Sequence, residues 1–193
     1  LATRWETKDR QTWRYYIRKD AKFHDGKPVT AHDVVFTLIY LPKNQPTYDV
    51  PEMAFEYVKA IDDYTVEFKL EAVLGGKYPA IYWTPILPKH IWEPHKDYFS
   101  AFGNEKAIGS GPFKLREFKS KQYVWFEANK EYWGGAPAVD EIVFKAYGGQ
   151  EALNLAAKKG EVQMMGYSGI RAVNLPEFEG DQNFKIIKSK GIG

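Results

Sequence analysis

Between residues 12 and 18 polar and apolar positions alternate. Trp13, Tyr15 and Ile17 fall on one side, and Thr12, Arg14, Tyr16 and Arg18 on the other. Successive side chains of an extended chain point to opposite faces, so this period predicts a half-buried strand. Asp25-Gly26 marks a tight turn after it. Thr30 then opens a Thr-x-x-Asp pattern that ends at Asp33. The threonine hydroxyl is expected to accept from the Asp33 amide, and the carboxylate to reach back to the helix start, where the dipole favours it. A helix is predicted from Ala31 to about Tyr40, burying Val34, Val35, Leu38 and Ile39 and stopping at Pro42, which has no amide hydrogen.

Residues 42–51 hold three prolines and read as a loop. Phe55–Ile61 and Tyr64–Leu70 predict a hairpin turning at Asp62-Asp63, with Val66, Phe68 and Leu70 alternating against Thr65, Glu67 and Lys69. Residues 71–98 are aromatic and irregular: Pro79, Pro85, Pro88 and Pro94 leave room for one helical turn at Lys89–Glu93. A segment so apolar must pack on something or line something. From about residue 103 strands and helices alternate. Strands are predicted at Phe113–Phe118, Tyr123–Ala128, Glu141–Tyr147, Val162–Met165 and Asn183–Lys188. Helices are predicted at Gln150–Lys159, capped by Gly160 with Leu153, Ala156 and Ala157 inward, and at 170–179, broken by Pro176. The fold class is therefore mixed α/β, with a parallel arrangement expected in this second half.

Charge and composition narrow the function. The 193 residues suffice for one good-sized domain or two small ones. Net charge is +2 with both signs interspersed. The densest cationic stretch, Lys114 to Lys121, also contains Glu117 and flanks a hairpin turn, so it reads as a solvated face and no nucleic-acid partner is expected. The absence of cysteine excludes disulfides, thiol catalysis and cysteine metal sites. No run approaches the roughly 18 apolar residues a spanning helix needs. Aromatic residues make up 16%, about twice ordinary usage; most are expected in the core, and such rings also line ligand pockets.

Two groups of residues offer chemistry. His24-Asp25 and His32-Asp33 could ligate a metal or exchange protons, which would make a metal-assisted hydrolase using His24, Asp25 and His32. Against this, Phe36 occupies the position where a helical partner of His32 would stand, Asp25 and Asp33 have turn and capping work, and Pro94 separates His90 from His95. Structural roles are the expectation, with no metal, no cofactor and no catalytic residue. Ser110 lies in Gly109-Ser110-Gly111, whose spacing fits neither a nucleophile elbow nor a dinucleotide loop. Two readings stay open: a backbone that crosses between subdomains or approaches a ligand closely, and a plain turn entering a strand at Pro112.

The run Ala107-Ile-Gly-Ser-Gly-Pro-Phe113, with Asn129-Lys-Glu-Tyr-Trp-Gly-Gly-Ala-Pro137 behind it, resembles the strand entry and the Asn-x-x-Tyr-Trp-Gly-Gly-x-Pro run of one family. Leu1-Ala-Thr-Arg-Trp5, Phe23-His-Asp-Gly-Lys-Pro-Val-Thr-Ala-His-Asp-Val-Val-Phe36, Ile86–Trp92 and Ala156–Val162 are similar to further pieces of it, in the same order. The family is that of the extracytoplasmic solute-binding proteins of the oligopeptide, dipeptide and nickel class (family 5), which feed ABC importers. Ser110 departs from its usual Thr, Val162-Gln163 from its Ile-Asp, and the loop 72–80 from its apolar segment.

The resemblance implies a periplasmic-binding-protein-like class II fold, here a fragment of lobe I: a mixed sheet with flanking helices plus a small α/β subdomain. Residues 1–104 would be that subdomain and 105–193 the middle segment of the main lobe, ending near the hinge to a missing lobe II. It implies no enzyme but a clamp for a peptide or other small solute, delivered to ABC permease subunits from a periplasmic or cell-surface location. Gly109, Ser110, Gly111, Tyr78, Tyr82 and Trp83 would line the site. A surface peptide-interaction module is the further alternative, motivated by the aromatic loop at 71–98.

Overall fold

The structure, a computed structural model, describes residues 1–44, 55–73, 84–95, 106–165 and 172–186. The chain divides into two compact units, Leu1–Phe144 and Lys145–Gly193. In the first unit β1 (Ala2–Thr7), β2 (Thr12–Ile17), β3 (Phe55–Asp62) and β4 (Thr65–Leu70) form an antiparallel sheet in the order β1-β2-β4-β3. The alternation of β2 sets its register: Trp13 lies opposite Phe68 and Tyr15 opposite Val66. Helix α1 (Ala31–Asn44) lays Ala31, Val34 and Leu38 over Trp13, Ile17, Val66, Phe68 and Leu70, which together form the main core. Phe68 is its centre, fully buried, stacked by Tyr15 at 5.6 Å and met edge-on by Phe55 at 5.3 Å.

The sheet's other face carries charge. Arg14 and Lys59 flank Glu67 in register. Arg14 Nη2 donates to Glu67 Oε2 at 2.6 Å, Lys59 Nζ lies 2.9 Å from Oε1, and the Tyr57 hydroxyl donates to Oε1 at 3.1 Å. Central strand β4 is thus buried on both faces, Thr65 and Glu67 included.

The start of α1 follows the capping pattern with one reversal. Asp33 Oδ2 accepts from the Thr30 amide at 2.9 Å and also from the Thr30 hydroxyl at 2.8 Å, so the threonine donates instead of accepting. The other Asp33 oxygen accepts from the Lys89 amide at 2.9 Å. One turn on, the Thr37 hydroxyl donates to the Asp33 carbonyl at 2.7 Å and accepts from the Leu87 amide at 2.9 Å. These bonds seat α2 (Lys89–Trp92) and the 3-10 turn Glu93–His95.

Helix α1 continues through Pro42 to Asn44, past the predicted stop. Proline holds φ near the helical value, and close to the helix end it removes only one hydrogen bond. Strand β1, which the alternation did not announce, is an edge strand with mostly exposed side chains.

A second sheet holds β5 (Phe113–Lys119), β6 (Tyr123–Ala128) and β7 (Glu141–Lys145) in the order β5-β6-β7. β5 and β6 pair antiparallel, with a register shift between Leu115 and Glu117. The expected parallel arrangement fails here because the link between them, residues 120–122, is a hairpin turn, and parallel neighbours need a long crossover.

In the second unit α3 (Gln150–Lys158) buries Asn154, Ala156 and Ala157. It ends as predicted at Gly160, whose φ of 74° lets its amide reach the Ala157 carbonyl and the Glu161 amide the Ala156 carbonyl. Val162–Met165 is not the predicted buried strand; Met164 is 79% exposed. Ala172–Glu177 is a 3-10 turn containing Pro176. Residues 183–186 form no strand, and the rest of that predicted strand lies outside the described residues. Both stretches have the residue types of a strand but no partner edge among the described residues. Among these residues no helix is long and apolar enough to cross a membrane.

Candidate functional site

Beyond β2 a second, smaller core forms from Ala21, Phe23 and Val29, with Leu1, Ile86, Ile108 and Trp133 packed on it. The turn expected at Asp25-Gly26 is present: Gly26 has φ 88° and donates to the Phe23 carbonyl, and Phe23 donates to the Lys27 carbonyl. With Phe23 buried, its neighbour His24 meets the segment Gly109–Gly111.

Three bonds join them. The His24 amide donates to the Gly109 carbonyl at 2.8 Å, the Gly109 amide donates to His24 Nδ1 at 3.2 Å, and His24 Nε2 lies 3.1 Å from the Gly111 carbonyl. Because Nδ1 accepts, the ring proton is assigned to Nε2 and the imidazole is neutral. Burial pushes the His24 pKa below its ordinary value and Lys114 adds to this, against the Gly111 carbonyl and Asp25. The Gly111 carbonyl also accepts from Asn129 Nδ2 at 3.2 Å, and the Asn129 amide donates to the Pro112 carbonyl at 2.8 Å.

The neighbouring Tyr132-Trp133 turn is pinned in the same place. The Arg18 guanidinium lies 4.0 Å over the Trp133 ring and donates to its carbonyl, while Asp20 holds the guanidinium with two bonds. Three stretches far apart in sequence, 18–29, 108–112 and 129–135, therefore converge.

This geometry fixes the backbone from Gly109 to Pro112 and leaves part of it unused. Among the described residues the Ser110 amide, carbonyl and hydroxyl and the Gly111 amide have no hydrogen-bond partner. A segment held in this way, whose Ser110 and Gly111 amides and Ser110 carbonyl have no partner among the described residues, suits an extended ligand that offers its own main chain. Of the sequence-predicted liners Gly109, Ser110 and Gly111, consecutive in the chain, are among the described residues; Tyr78, Tyr82 and Trp83 lie outside them.

The residues of the hydrolase alternative are not brought together. His24 is spent on the Gly109–Gly111 backbone, Asp25 binds His90 Nε2 at 2.7 Å, and His32 faces Asp63 at 3.2 Å on the surface. Burial works against the Asp25 carboxylate, but the His90 ring and the Lys27 amide outweigh it, and its pKa lies below the ordinary range. Among the described residues no group of three His, Cys, Asp or Glu could hold a metal ion. Sequence reasoning missed Arg18 and Asn129 as organisers of the site. Asn129 stood inside a quoted motif, but nothing local said that its side chain would share a carbonyl with His24.

A family model described as "Bacterial extracellular solute-binding proteins, family 5 Middle" matches residues 1–193. The chain is 36% identical over 178 residues to the oligopeptide-binding protein AppA of Bacillus subtilis (strain 168), covering 89% of this chain and 32% of that protein. It is 27% identical over 220 residues to the dipeptide-binding protein of Escherichia coli (strain K12), covering 100% of this chain and 40% of that one. The chain thus spans between 32% and 40% of the length of these curated relatives. Among solved structures it is similar to Bacillus subtilis AppA in complex with a nonapeptide, with TM-score 0.80, 34% identity, and coverage of 97% of this chain and 38% of that chain. It is also similar to NikZ of Campylobacter jejuni in complex with Ni(L-His), with TM-score 0.81, 27% identity, and the same two coverages of 97% and 38%.

Proposed function

The chain belongs to the bacterial extracellular solute-binding proteins of family 5, and from that premise we propose that it serves an ABC-type importer by holding a peptide or similar small solute for delivery to a membrane permease. The observation that carries this reading is the bracketed loop: His24 and Asn129 fix Gly109–Gly111, and among the described residues the Ser110 backbone and hydroxyl have no hydrogen-bond partner. Main-chain recognition of this kind tolerates many side chains, as a carrier of mixed peptides requires. Relatives named for oligopeptides and dipeptides support the same solute class. Tyr78, Tyr82 and Trp83 complete the proposed lining.

The rest of the proposal concerns the setting. Residues 1–104 act as a small subdomain and 105–193 as the middle segment of a main lobe; the separate sheets β1–β4 and β5–β7 support that division. The ties from His24 and Arg18 across it account for Leu1–Phe144 being one compact unit. A second lobe closes over the solute, and the closed form meets the permease on the extracytoplasmic side. No bond of the solute is made or broken.

Calorimetry with pools of di- to pentapeptides tests the reading, with zinc titration as control. Saturable heat from peptides supports it. Stoichiometric zinc binding that is lost in His24→Ala, without peptide binding, contradicts it and favours the hydrolase.

A further inference from the structure

The His24 ring is used at both nitrogens, and the two bonds have opposite polarity. Nδ1 must be bare to accept from the Gly109 amide, and Nε2 must carry a proton to reach the Gly111 carbonyl. Only the neutral Nε2–H tautomer satisfies both. Turning the ring over would put carbon against each partner.

We propose that His24 is a positioning residue whose neutral ring latches the Gly109 end of the loop, and that a second ring proton opens the latch, so the loop's conformation depends on pH. An imidazolium has an N–H at both ends, and its Nδ1–H would face the Gly109 N–H with no acceptor between them. The surroundings set the direction. Lys114, at the start of β5, opposes charging of the ring, and so does burial; Asp25, on the ring's own turn, favours charging but is already held by His90 at 2.7 Å. The Gly111 carbonyl keeps its second donor, Asn129 Nδ2, and the His24 amide keeps the Gly109 carbonyl. Protonation therefore frees one group selectively, the Gly109 amide. The residue two before it, Ala107, has φ 41°, a left-handed conformation that costs an alanine free energy and persists only where its surroundings hold it. Loss of the latch gives this segment a reason to move.

The consequence for solute rests on the reading of Ser110 as ligand-facing. A loop released at Gly109 presents the Ser110 backbone less rigidly, so retention weakens at acid pH.

NMR of the 15N-labelled protein tests the latch. The His24 ring nitrogens report tautomer and titration, and exchange of the Gly109 amide, corrected for its intrinsic pH dependence, reports opening. The expected result is an Nε2–H tautomer near pH 7 and Gly109 protection that falls as His24 titrates, about tenfold for each unit by which folding lowers its pKa. His24→Asn, whose side-chain oxygen can still accept from Gly109 but cannot titrate, should keep protection flat with pH; His24→Ala should lose it at every pH. Gly109 protection that stays constant while His24 titrates, or the same pH dependence in His24→Asn, overturns the latch. Peptide affinity at about pH 7.5 and about pH 5 separates the two readings: if Gly109 follows His24 and affinity does not, the latch stands and the ligand-facing role of Ser110 falls.

Discussion

Glu67 shows how one residue can contradict a clean pattern and still be explained by it. Alternation on β4 places it opposite Phe68, on the face away from the core, yet it is 8% exposed. Lys59, Arg14 and Tyr57 close over it and hold its pKa down to about 2, from an ordinary value of 4.5. A carboxylate depressed by folding adds stability above its ordinary pKa and loses it as pH falls through the folded value. Glu67→Gln should therefore cost about 1–2 kcal/mol near neutral pH. The difference from wild type should shrink between about pH 5 and pH 2 in urea titrations; a gap that is unchanged across that range would refute the ion-pair account. His24 runs by the same arithmetic with a different cause. Burial lowers its pKa, so its contribution is fully present above the ordinary imidazole value and is lost as pH falls from there through the lower folded value.

At the scale of elements, Asp33 does more than its sequence pattern promised. Thr30-x-x-Asp33 announced a helix start, and the start is there. The third bond, to the Lys89 amide, makes the same carboxylate the clasp between α1 and α2. Asp33→Ala removes all three bonds and should destabilise by about 2–3 kcal/mol, with an unchanged denaturant slope if the fold is kept; a loss below about 0.5 kcal/mol would show that the clasp is idle.

What was legible follows from what each element needs. The strand β2, the β3–β4 hairpin, the start of α1 and the Gly160 cap rest on local periodicity or on one residue's backbone freedom, and all are found. β1 was missed because an edge strand has little buried face to betray it. Val162–Met165 was expected as a strand because β-branched and apolar residues invite one, but a strand exists only beside a partner edge, and sequence alone does not supply that edge. Pro42 misled because a proline forgoes only its own bond back to the preceding turn, and two further residues still follow it in the helix.

At the scale of the whole molecule, the stretches that carried the family resemblance turn out to hold one another. Phe23-His24, Gly109-Ser110-Gly111 and Asn129 through Trp133 meet through His24, the Gly111 carbonyl and the Arg18–Trp133 stack. The motifs were readable as a list, but their meeting was not, because the bond between His24 and Gly109 spans 85 residues. The resemblance implied a clamp and the residues permitted a hydrolase, and the partners of His24, Asp25 and His32 argue against the hydrolase. Equilibrium dialysis against a defined peptide mixture, with mass spectrometry of both compartments, bears most directly on that choice. The expected result is peptide concentrated on the protein side and recovered at its original mass from both sides. Shortened peptides appearing with the protein, and not with His24→Ala, would contradict it.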